Sequence, residues 1–275
     1  MKAQRKPDSG GVGEALSRAW RGTLRRAVMP LGDRLLGQRM MARLRFLEQA
    51  QWWDRDRLLS ERDRLLAELI AVSYREVPFY RELWDGHGIK PEDITTASDL
   101  AKLPVVTKDM LREGYPARTV RPTGQRTHEE CSSGSTGRPF CVQEDAYTAG
   151  WYRASFMLAL QWSGWRIGDP QLQMGMTPQR SRGRKAKDLF LRCHYVSAYD
   201  LRDAALDAHL ERIDRSELRH VWGYPSAVYL LARRATETGW CRELDAVVTW
   251  GDTLFPHFRK TIESAFRTRV FDTYG

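Results

Sequence analysis

The residue types best suited to chemistry lie in one short stretch, from Cys131 to Pro139. These nine residues include two glycines, four hydroxyl side chains and an arginine. Glycine lets a phosphate approach the main chain, and successive N–H groups form a concave anion site. Ser, Thr and Arg side chains donate to phosphate oxygens. The stretch therefore predicts a phosphate-binding loop, although a polar turn without any ligand uses the same residue types.

This stretch differs from the P-loop of the nucleoside triphosphatases. The Lys-Ser/Thr ending of a P-loop is missing, and Pro139 follows Arg138 instead. The next residues, Phe140, Cys141 and Val142, are typical of a strand rather than of the helix that a P-loop opens. We therefore expect a glycine-rich loop that joins two strands.

The composition is that of an ordinary globular protein. The chain has 275 residues, of which 42% are hydrophobic and 29% are charged. No apolar run approaches the roughly 20 residues that a membrane span needs, and no apolar signal core follows the charged N-terminus. The cysteines are far apart and form no Cys-x-x-Cys pair, which predicts four reduced thiols in a cytoplasmic protein. They are Cys131, Cys141, Cys193 and Cys241.

The positive charge is concentrated at the N-terminus. The chain carries a net charge of +9, and residues 1–50 hold eleven Lys or Arg against four Asp or Glu, a net +7. Residues 1–13 are polar and glycine-rich, so we expect them to be disordered. Residues 14–29 have a helical pattern that is predicted to end at Pro30.

The predicted helix over 14–29 has an apolar face and a basic face. Leu16, Trp20, Leu24 and Val28 recur at every fourth position, opposite Arg18, Arg21, Arg25 and Arg26. Such a helix suits an anionic membrane surface, for example the inner face of a cytoplasmic membrane. A helix packed on its own domain, with a solvated basic face, explains the pattern equally well. No specific nucleic acid is expected, because no aromatic platform accompanies the charge.

The rest of the chain indicates an α/β fold. Residues 34–77 look mainly helical, and a further helix is predicted over 144–163. Residues 246–250 are typical of a buried parallel strand, followed by a helix over 256–266 and a strand at 270–271. Polar residues stand just past the strand ends, where α/β proteins place their binding sites.

Four motifs in a fixed order resemble a known family. Ser133 to Pro139 match Ser-Gly-(Thr/Ser)-Thr-Gly-x-Pro, the phosphate loop of the adenylate-forming superfamily of acyl-coenzyme A synthetases, peptide-synthetase adenylation domains and luciferases. Pro78-Phe79-Tyr80, then Gly88 to Ile94, then Leu103 to Arg112 precede it. Their order and spacing resemble those of the phenylacetate–coenzyme A ligases and their CapK-like relatives from polysaccharide biosynthesis. Residues 199–213 are similar to the CapK-like subgroup.

The resemblance implies a domain arrangement. Residues 51–275 would form an incomplete large N-terminal domain of the adenylate-forming fold, preceded by a basic, partly disordered and helical extension over 1–50. The family's Mg²⁺-binding Glu, and the catalytic Lys of its small C-terminal domain, are expected beyond Gly275, so we assign no catalytic residue and no metal ligand. Either the chain is a fragment or a second chain supplies the rest.

The resemblance also implies a reaction. A small carboxylic acid would attack the α-phosphate of ATP, with Mg²⁺ as cofactor, to give acyl-AMP and pyrophosphate, and coenzyme A would be a possible acceptor. The residues implied for the triphosphate are Ser132, Ser133, Gly134, Ser135, Thr136, Gly137 and Arg138. Those implied for the adenine are Thr249, Trp250, Gly251, Asp252, Asp272, Tyr274 and Gly275. Those implied for the acid are Tyr224, Pro225 and Ser226.

Two features leave alternatives open. Trp250 and Asp252 depart from the small residue and the Glu that the family has at these positions. Residues 179–187 carry five basic side chains, which could meet phosphates of ATP or coenzyme A or belong to a solvated surface loop.

The alternative to a ligase is a non-catalytic, membrane-associated protein that uses the fold to bind a nucleotide or a partner.

Overall fold

The computed structural model describes residues 10–122, 124, 126–132, 138–177 and 179–273. Its α-helices in this part of the chain are α1 (Gly10–Thr23), α2 (Met29–Leu36), α3 (Met40–Ala50), α4 (Arg55–Glu76), α5 (Pro78–Gly86), α6 (Lys108–Gly114), α7 (Ala146–Trp162), α8 (Arg182–Phe190), α9 (Asp203–Arg215), α10 (Pro225–Glu237) and α11 (Pro256–Phe266). A π-helical turn, Leu24–Val28, joins α1 to α2, and Pro91–Asp93 and Ala97–Lys102 are 3₁₀-helices.

The strands form two separate sheets. They are β1 (Thr127–Cys131), β2 (Cys141–Asp145), β3 (Gln171–Gly175), β4 (Cys193–Ser197), β5 (His220–Gly223), β6 (Ala246–Thr249) and β7 (Val270–Asp272). β1 and β2 form a two-stranded sheet, and the other five strands form one sheet in the order β4-β3-β5-β6-β7.

The chain divides into two compact units. One contains the chain up to Gly32 together with Ser155–Gly275, and the other contains Asp33–Ala154. These units differ from the division at residue 50 expected from the sequence, which remains a prediction about the family's domains.

The five-stranded sheet positions the site residues of the first unit. Every neighbouring pair in it is parallel. β5 and β6 are buried along their whole length, so the predicted buried strand at 246–250 is confirmed. Because the strands run in one direction, their carboxyl ends share one edge of the sheet, where α/β proteins bind ligands.

Helices of the same unit complete its hydrophobic core. Leu210 of α9, Leu231 of α10 and Phe266 of α11 are at most 3% exposed and pack with Val221 and Val247 of the sheet. Each large side chain buried in this way contributes about 1.5–3 kcal/mol of transfer free energy. The predicted helix over 256–266 is therefore confirmed, and its apolar residues contribute to this core.

The second unit contains the strands on either side of the glycine-rich loop. β1 and β2 pair antiparallel, with Thr127 opposite Asp145 and Cys131 opposite Cys141. The prediction that two strands flank the loop is therefore confirmed. Residues 133–137 of the loop lie outside the described residues. Helices α4 and α5 of this unit share a small core around Ile70 and Trp84.

The N-terminal helix is confirmed, but both of its predicted ends are wrong: α1 begins at Gly10, so residues 10–13 are helical rather than disordered, and the helix does not end at Pro30. The π-helical turn continues directly into α2, and Pro30 is the second residue of α2. Proline lacks an N–H and its ring collides with the carbonyl four residues earlier in a regular α-helix. The π turn shifts the hydrogen-bond register just before the proline, because the Met29 amide donates to the Leu24 carbonyl. The helix therefore continues through the proline.

The apolar face of this helix contacts the chain's own first unit. Leu24 is fully buried, and a Cβ on Gly168 would lie 2.7 Å from its Cδ1 atom. The Trp20 indole donates to the Phe190 carbonyl at 3.1 Å and its ring stacks on that of Phe190. Arg21 pairs with Asp169 at 2.7 Å. These contacts support the packed alternative, and no observation supports a membrane surface. None of the helices that the structure describes combines the length and apolarity required to cross a bilayer.

Replacing Leu24 with alanine should lower the free energy of unfolding by about 2–5 kcal/mol, because the change leaves a cavity in a packed site. Leu16 is 66% exposed on the same helix, so Leu16→Ala is the matched control. This variant should change the free energy of unfolding by less than about 0.5 kcal/mol. Urea denaturation of both variants measures the difference. Equal effects would mean that this helix does not dock on the domain.

Candidate nucleotide and acid site

Three strand ends bring predicted site residues together at one edge of the parallel sheet. β5 ends at Gly223, and Tyr224 then leads into α10. β6 ends at Thr249, and Trp250 follows at a point where its amide donates to the Gly223 carbonyl at 3.3 Å. β7 ends at Asp272. The residues implied for adenine and those implied for the acid are therefore neighbours in this unit.

Asp272 is oriented by a buried threonine on the adjacent strand. The Thr249 side chain is fully buried, and its hydroxyl donates to Asp272 Oδ1 at 2.7 Å. The Thr273 amide and hydroxyl both donate to the Thr249 carbonyl, at 2.8 and 3.0 Å. Among the described residues, Asp272 Oδ2 has no hydrogen-bond partner, so one carboxylate oxygen is left to accept a bond from a ligand N–H.

Gly251 lies against the ring of Tyr224. Its φ is +83°, a backbone conformation that side-chain-bearing residues rarely adopt. A Cβ at this position would lie 2.5 Å from Tyr224 Cε1. The Tyr224 ring also meets that of Trp250 edge-on, with centroids 6.5 Å apart. Only glycine therefore fits between the end of β6 and this tyrosine.

Ser226 and Asp252 connect the two implied halves of the site. The Ser226 hydroxyl donates to Asp252 Oδ2 at 2.8 Å. Ser226 was expected to touch the acid and Asp252 to line the adenine, so this bond joins the start of α10 to the loop after β6. Asp252 departs from the Glu that the resemblance implies near this position, and the bond to Ser226 gives its carboxylate a definite partner.

A cluster of aromatic rings packs against Trp250, and the residue pattern did not predict it. The Trp250 ring meets the rings of Phe156 and Trp222 edge-on, each at 6.4 Å. Trp222 in turn lies 4.9 Å from Trp165. Trp222 lies in β5 and Tyr224 directly follows that strand, and their two-residue spacing could have placed both on one face. The position of Phe156 depends on the packing of α7.

The Tyr224 phenol remains protonated over a wider pH range than a free tyrosine. Burial raises its pKa, and the negative charge of Asp252 and the nearby Tyr195 and Tyr199 add to the shift. The hydroxyl is therefore a neutral donor at physiological pH. Pro225, the third residue implied for the acid, is buried at the start of α10.

The base of the glycine-rich loop is held by short contacts in the second unit. The Ser132 amide donates to the Phe140 carbonyl and the Ser132 hydroxyl accepts from the Phe140 amide, both at 2.9 Å. Arg112 donates to the carbonyls of Arg138 and Pro139, at 2.9 and 3.3 Å. Arg112 is the last residue of the Leu103–Arg112 motif, so these bonds connect that motif to the base of the loop.

Of the residues implied for the triphosphate, the structure describes only Ser132 and Arg138. The Arg138 side chain is exposed, whereas the Ser132 oxygen already accepts one backbone bond. Ser133, Gly134, Ser135, Thr136 and Gly137 lie outside the described residues, as do Tyr274 and Gly275. Their roles remain predictions.

Two cysteines form a disulfide, so the prediction of four reduced thiols is wrong. Cys131 and Cys141 face each other at the loop end of the β1–β2 pair and are joined by an S–S bond. Cys193 and Cys241 are free. The spacing of the cysteines indicated no pair, but antiparallel pairing places Cys131 and Cys141, ten residues apart, side by side. The two strands predicted around the loop could have suggested this pair.

We expect thiol titration to give two reactive groups per chain after denaturation without a reductant, and four after reduction. Cysteines directly opposite each other on antiparallel strands are close enough to bond. Cys131→Ser is the matched variant, and it should give three thiols without a reductant. Four thiols in the unreduced protein would mean that the pair is held reduced, as first expected for a cytoplasmic protein.

Two groups of possible metal ligands occur in the described part of the chain, both on the β1–β2 strands. One includes the two disulfide-bonded cysteines, which excludes them as thiolate ligands. The other comprises His128, Glu130 and Glu144. His128 Nε2 lies 3.4 Å from Glu130 Oε1 and 2.9 Å from Glu144 Oε2. We assign no metal to either group.

Comparison with curated proteins gives related ligases over part of the chain. The chain is 38% identical over 88 residues to phenylacetate–coenzyme A ligase from Escherichia coli K12, and 32% identical over 101 residues to that from Aromatoleum evansii. The matched segments cover 32% and 36% of this chain, but only 20% and 23% of the two relatives. No family model matches the sequence.

Comparison with solved structures shows the fold. The structure of 2-hydroxyisobutyryl-CoA ligase in complex with 2-HIB-AMP and CoA superposes with a TM-score of 0.52 at 22% identity. The match covers 77% of this chain and 48% of that one, so this chain spans about half the length of its structural neighbour. Sequence and fold agree: this chain has the fold of the adenylate-forming ligases and shares sequence with the phenylacetate–coenzyme A ligases among them.

Proposed function

We propose that this chain carries the ATP- and acid-binding part of an ATP-dependent carboxylate ligase. A carboxylate oxygen attacks the α-phosphate of ATP, the bond to the β-phosphate oxygen breaks, and acyl-AMP and pyrophosphate form. The observation that carries the proposal is the grouping of Tyr224, Trp250, Asp252 and Asp272 at the carboxyl edge of the sheet. That edge is where an α/β fold binds nucleotides.

The proposed roles follow from the chemistry of each side chain. Asp272 Oδ2 accepts from the exocyclic amine of adenine, because Thr249 already engages Oδ1. Trp250 and Gly251 line the base, and Tyr274 stacks on it. Tyr224, Pro225 and Ser226 contact the acyl group. Binding both reactants in one orientation removes much of the entropic cost of their reaction.

The glycine-rich loop is proposed to bind the triphosphate. Hydroxyls, main-chain amides and Arg138 supply donors and positive charge to the leaving pyrophosphate. ATP enters as its Mg²⁺ complex, and we assign no residue of this chain to the metal.

The likeness to CoA ligases favours coenzyme A as the acyl acceptor, since its thiol would displace AMP to give a thioester. Similarity of residues 199–213 to the CapK-like group leaves acyl transfer in polysaccharide biosynthesis as a finer proposal. We place the reaction in the cytoplasm, where ATP and coenzyme A are supplied. Peripheral attachment at the inner membrane face would have to use side chains other than Trp20 and Leu24, which contact the domain.

Carboxylate-dependent exchange of labelled pyrophosphate into ATP tests this proposal on the protein at its full natural length. A panel of aryl-acetic, benzoic and short hydroxy acids identifies the substrate, because exchange requires the acid to form acyl-AMP reversibly. Exchange with one class of acid supports the ligase. Nucleotide binding without exchange for any acid would favour the non-catalytic binding protein instead.

A further inference from the structure

The described residues that line a cavity beside the candidate site all carry hydrogen-bond donors, and none of them is a carboxylate. It has a volume of about 450 Å³ and lies past the ends of β3 and β4. These two strands are neighbours, with Gly175 opposite Ser197, at the same edge of the sheet as Tyr224 and Trp250. The lining residues are Thr177, Gln179, Arg180, Lys185, Tyr195 and Ser197.

The charges around this cavity are not equally available. Arg180 stacks on Tyr195, with its guanidinium carbon 3.9 Å from the ring centroid, and pairs with Asp188 through a 3.0 Å bond. The charge of Arg180 is therefore balanced by Asp188, and its side chain is held in place by Tyr195. Lys185 forms no ion pair with any residue that the structure describes. Its ammonium group is the uncompensated charge of the cavity.

Two hydroxyls of the lining have protons left to donate. The Tyr195 oxygen accepts from the Thr177 amide at 2.8 Å, and the Ser197 oxygen accepts from the Tyr199 amide at 3.2 Å. Within the described residues, neither hydroxyl donates to an acceptor. Gly175 makes room for this tyrosine, since a Cβ there would lie 2.4 Å from the Tyr195 oxygen. The backbone thus fixes both oxygens and leaves their O–H groups for a ligand.

We propose that this cavity binds a phosphate group. One ammonium, two oriented hydroxyls and the Thr177 hydroxyl can bond several oxygens of one phosphate, which offers more acceptors than a carboxylate. The volume is sufficient for the phosphate together with part of the molecule that bears it. The source is either a phosphate of coenzyme A or free phosphate. The assignment to coenzyme A rests on the proposed ligase function, whereas the proposal that the cavity binds a phosphate group does not.

Isothermal titration of the 275-residue chain with inorganic phosphate, coenzyme A and dephospho-coenzyme A separates the sources. Phosphate should bind at one saturable site. If the 3′-phosphate of coenzyme A occupies the cavity, coenzyme A should bind roughly tenfold more tightly than dephospho-coenzyme A. Equal binding of the two, with neither displaced by inorganic phosphate, would leave free phosphate as the occupant.

Lys185→Ala should weaken phosphate binding about tenfold, and Lys185→Arg should retain most of it. Lys187→Ala is the matched control, because it removes the same charge from α8 two residues away, on a different side of the helix. Phosphate binding that is absent, or that both alanine variants weaken equally, would overturn the proposal. Since no turnover is measured, a failed exchange assay and a failed phosphate titration are separate results.

Discussion

Replacing Thr136 or Arg138 with alanine should lower carboxylate-dependent ATP–pyrophosphate exchange roughly ten- to a hundredfold. One hydrogen bond to a charged group contributes about 1.5–3 kcal/mol. Losing it in the transition state raises the activation free energy by that amount and lowers the exchange rate. Arg138 is exposed, and its main chain is held independently through the bond from Arg112 to its carbonyl. The melting temperature should therefore change little.

The control for Arg138→Ala is a change outside the loop that removes a similar charge. Arg126 is exposed and precedes β1, so Arg126→Ala should leave exchange within about twofold of the unmutated protein. A large fall in melting temperature, with exchange retained per folded molecule, would make the loop a structural turn.

Replacing Gly251 with alanine should reduce the affinity for an acyl-adenylate at least tenfold and destabilise the fold. An alanine at φ +83° costs about 1–2 kcal/mol in the backbone. Its Cβ would also overlap the Tyr224 ring, which must move away from Trp250 or force the loop after β6 to shift. Overlap in packed sites typically costs a further 1–3 kcal/mol or so.

Gly239 provides a matched control for Gly251. Its φ is +71°, and a Cβ there would meet no atom within 4 Å. Gly239→Ala should therefore show the backbone cost alone, about 1–2 kcal/mol in the free energy of unfolding, with unchanged ligand affinity. If the two variants have the same stability and the same affinity, the contact between Gly251 and Tyr224 does not shape the site. Adding Tyr224→Ala to Gly251→Ala should recover part of the lost stability, because the overlap is removed.

Local residue patterns were enough to predict the main elements around the site. Pro139 and the residues after it predicted a strand beyond the glycine-rich loop, and β2 begins at Cys141. The apolar run at 246–250 predicted β6, and the polar residues after it indicated the carboxyl edge. These signals are local in sequence, because a strand's burial and its turn residues are encoded within a few positions.

Features that depend on pairing or packing between distant residues were not predicted. The disulfide requires the register of β1 against β2, and the charge state of the cavity requires knowing that Arg180 folds back onto Asp188. The residue pattern over 179–187 does not show that Arg180 is paired with an acidic side chain whereas Lys185, among the described residues, is not. The helix through Pro30 also depended on a local π turn, which no periodicity signals.

The most direct test is calorimetric titration of the 275-residue chain with a series of acyl-sulfamoyl adenosines, stable analogues of the proposed acyl-AMP. The proposed function predicts one saturable site for at least one acyl group, with affinity lost in Gly251→Ala and retained in Gly239→Ala. A folded chain that binds no member of the series, or binding that both glycine variants leave intact, would contradict a nucleotide and acid site at the ends of β5, β6 and β7.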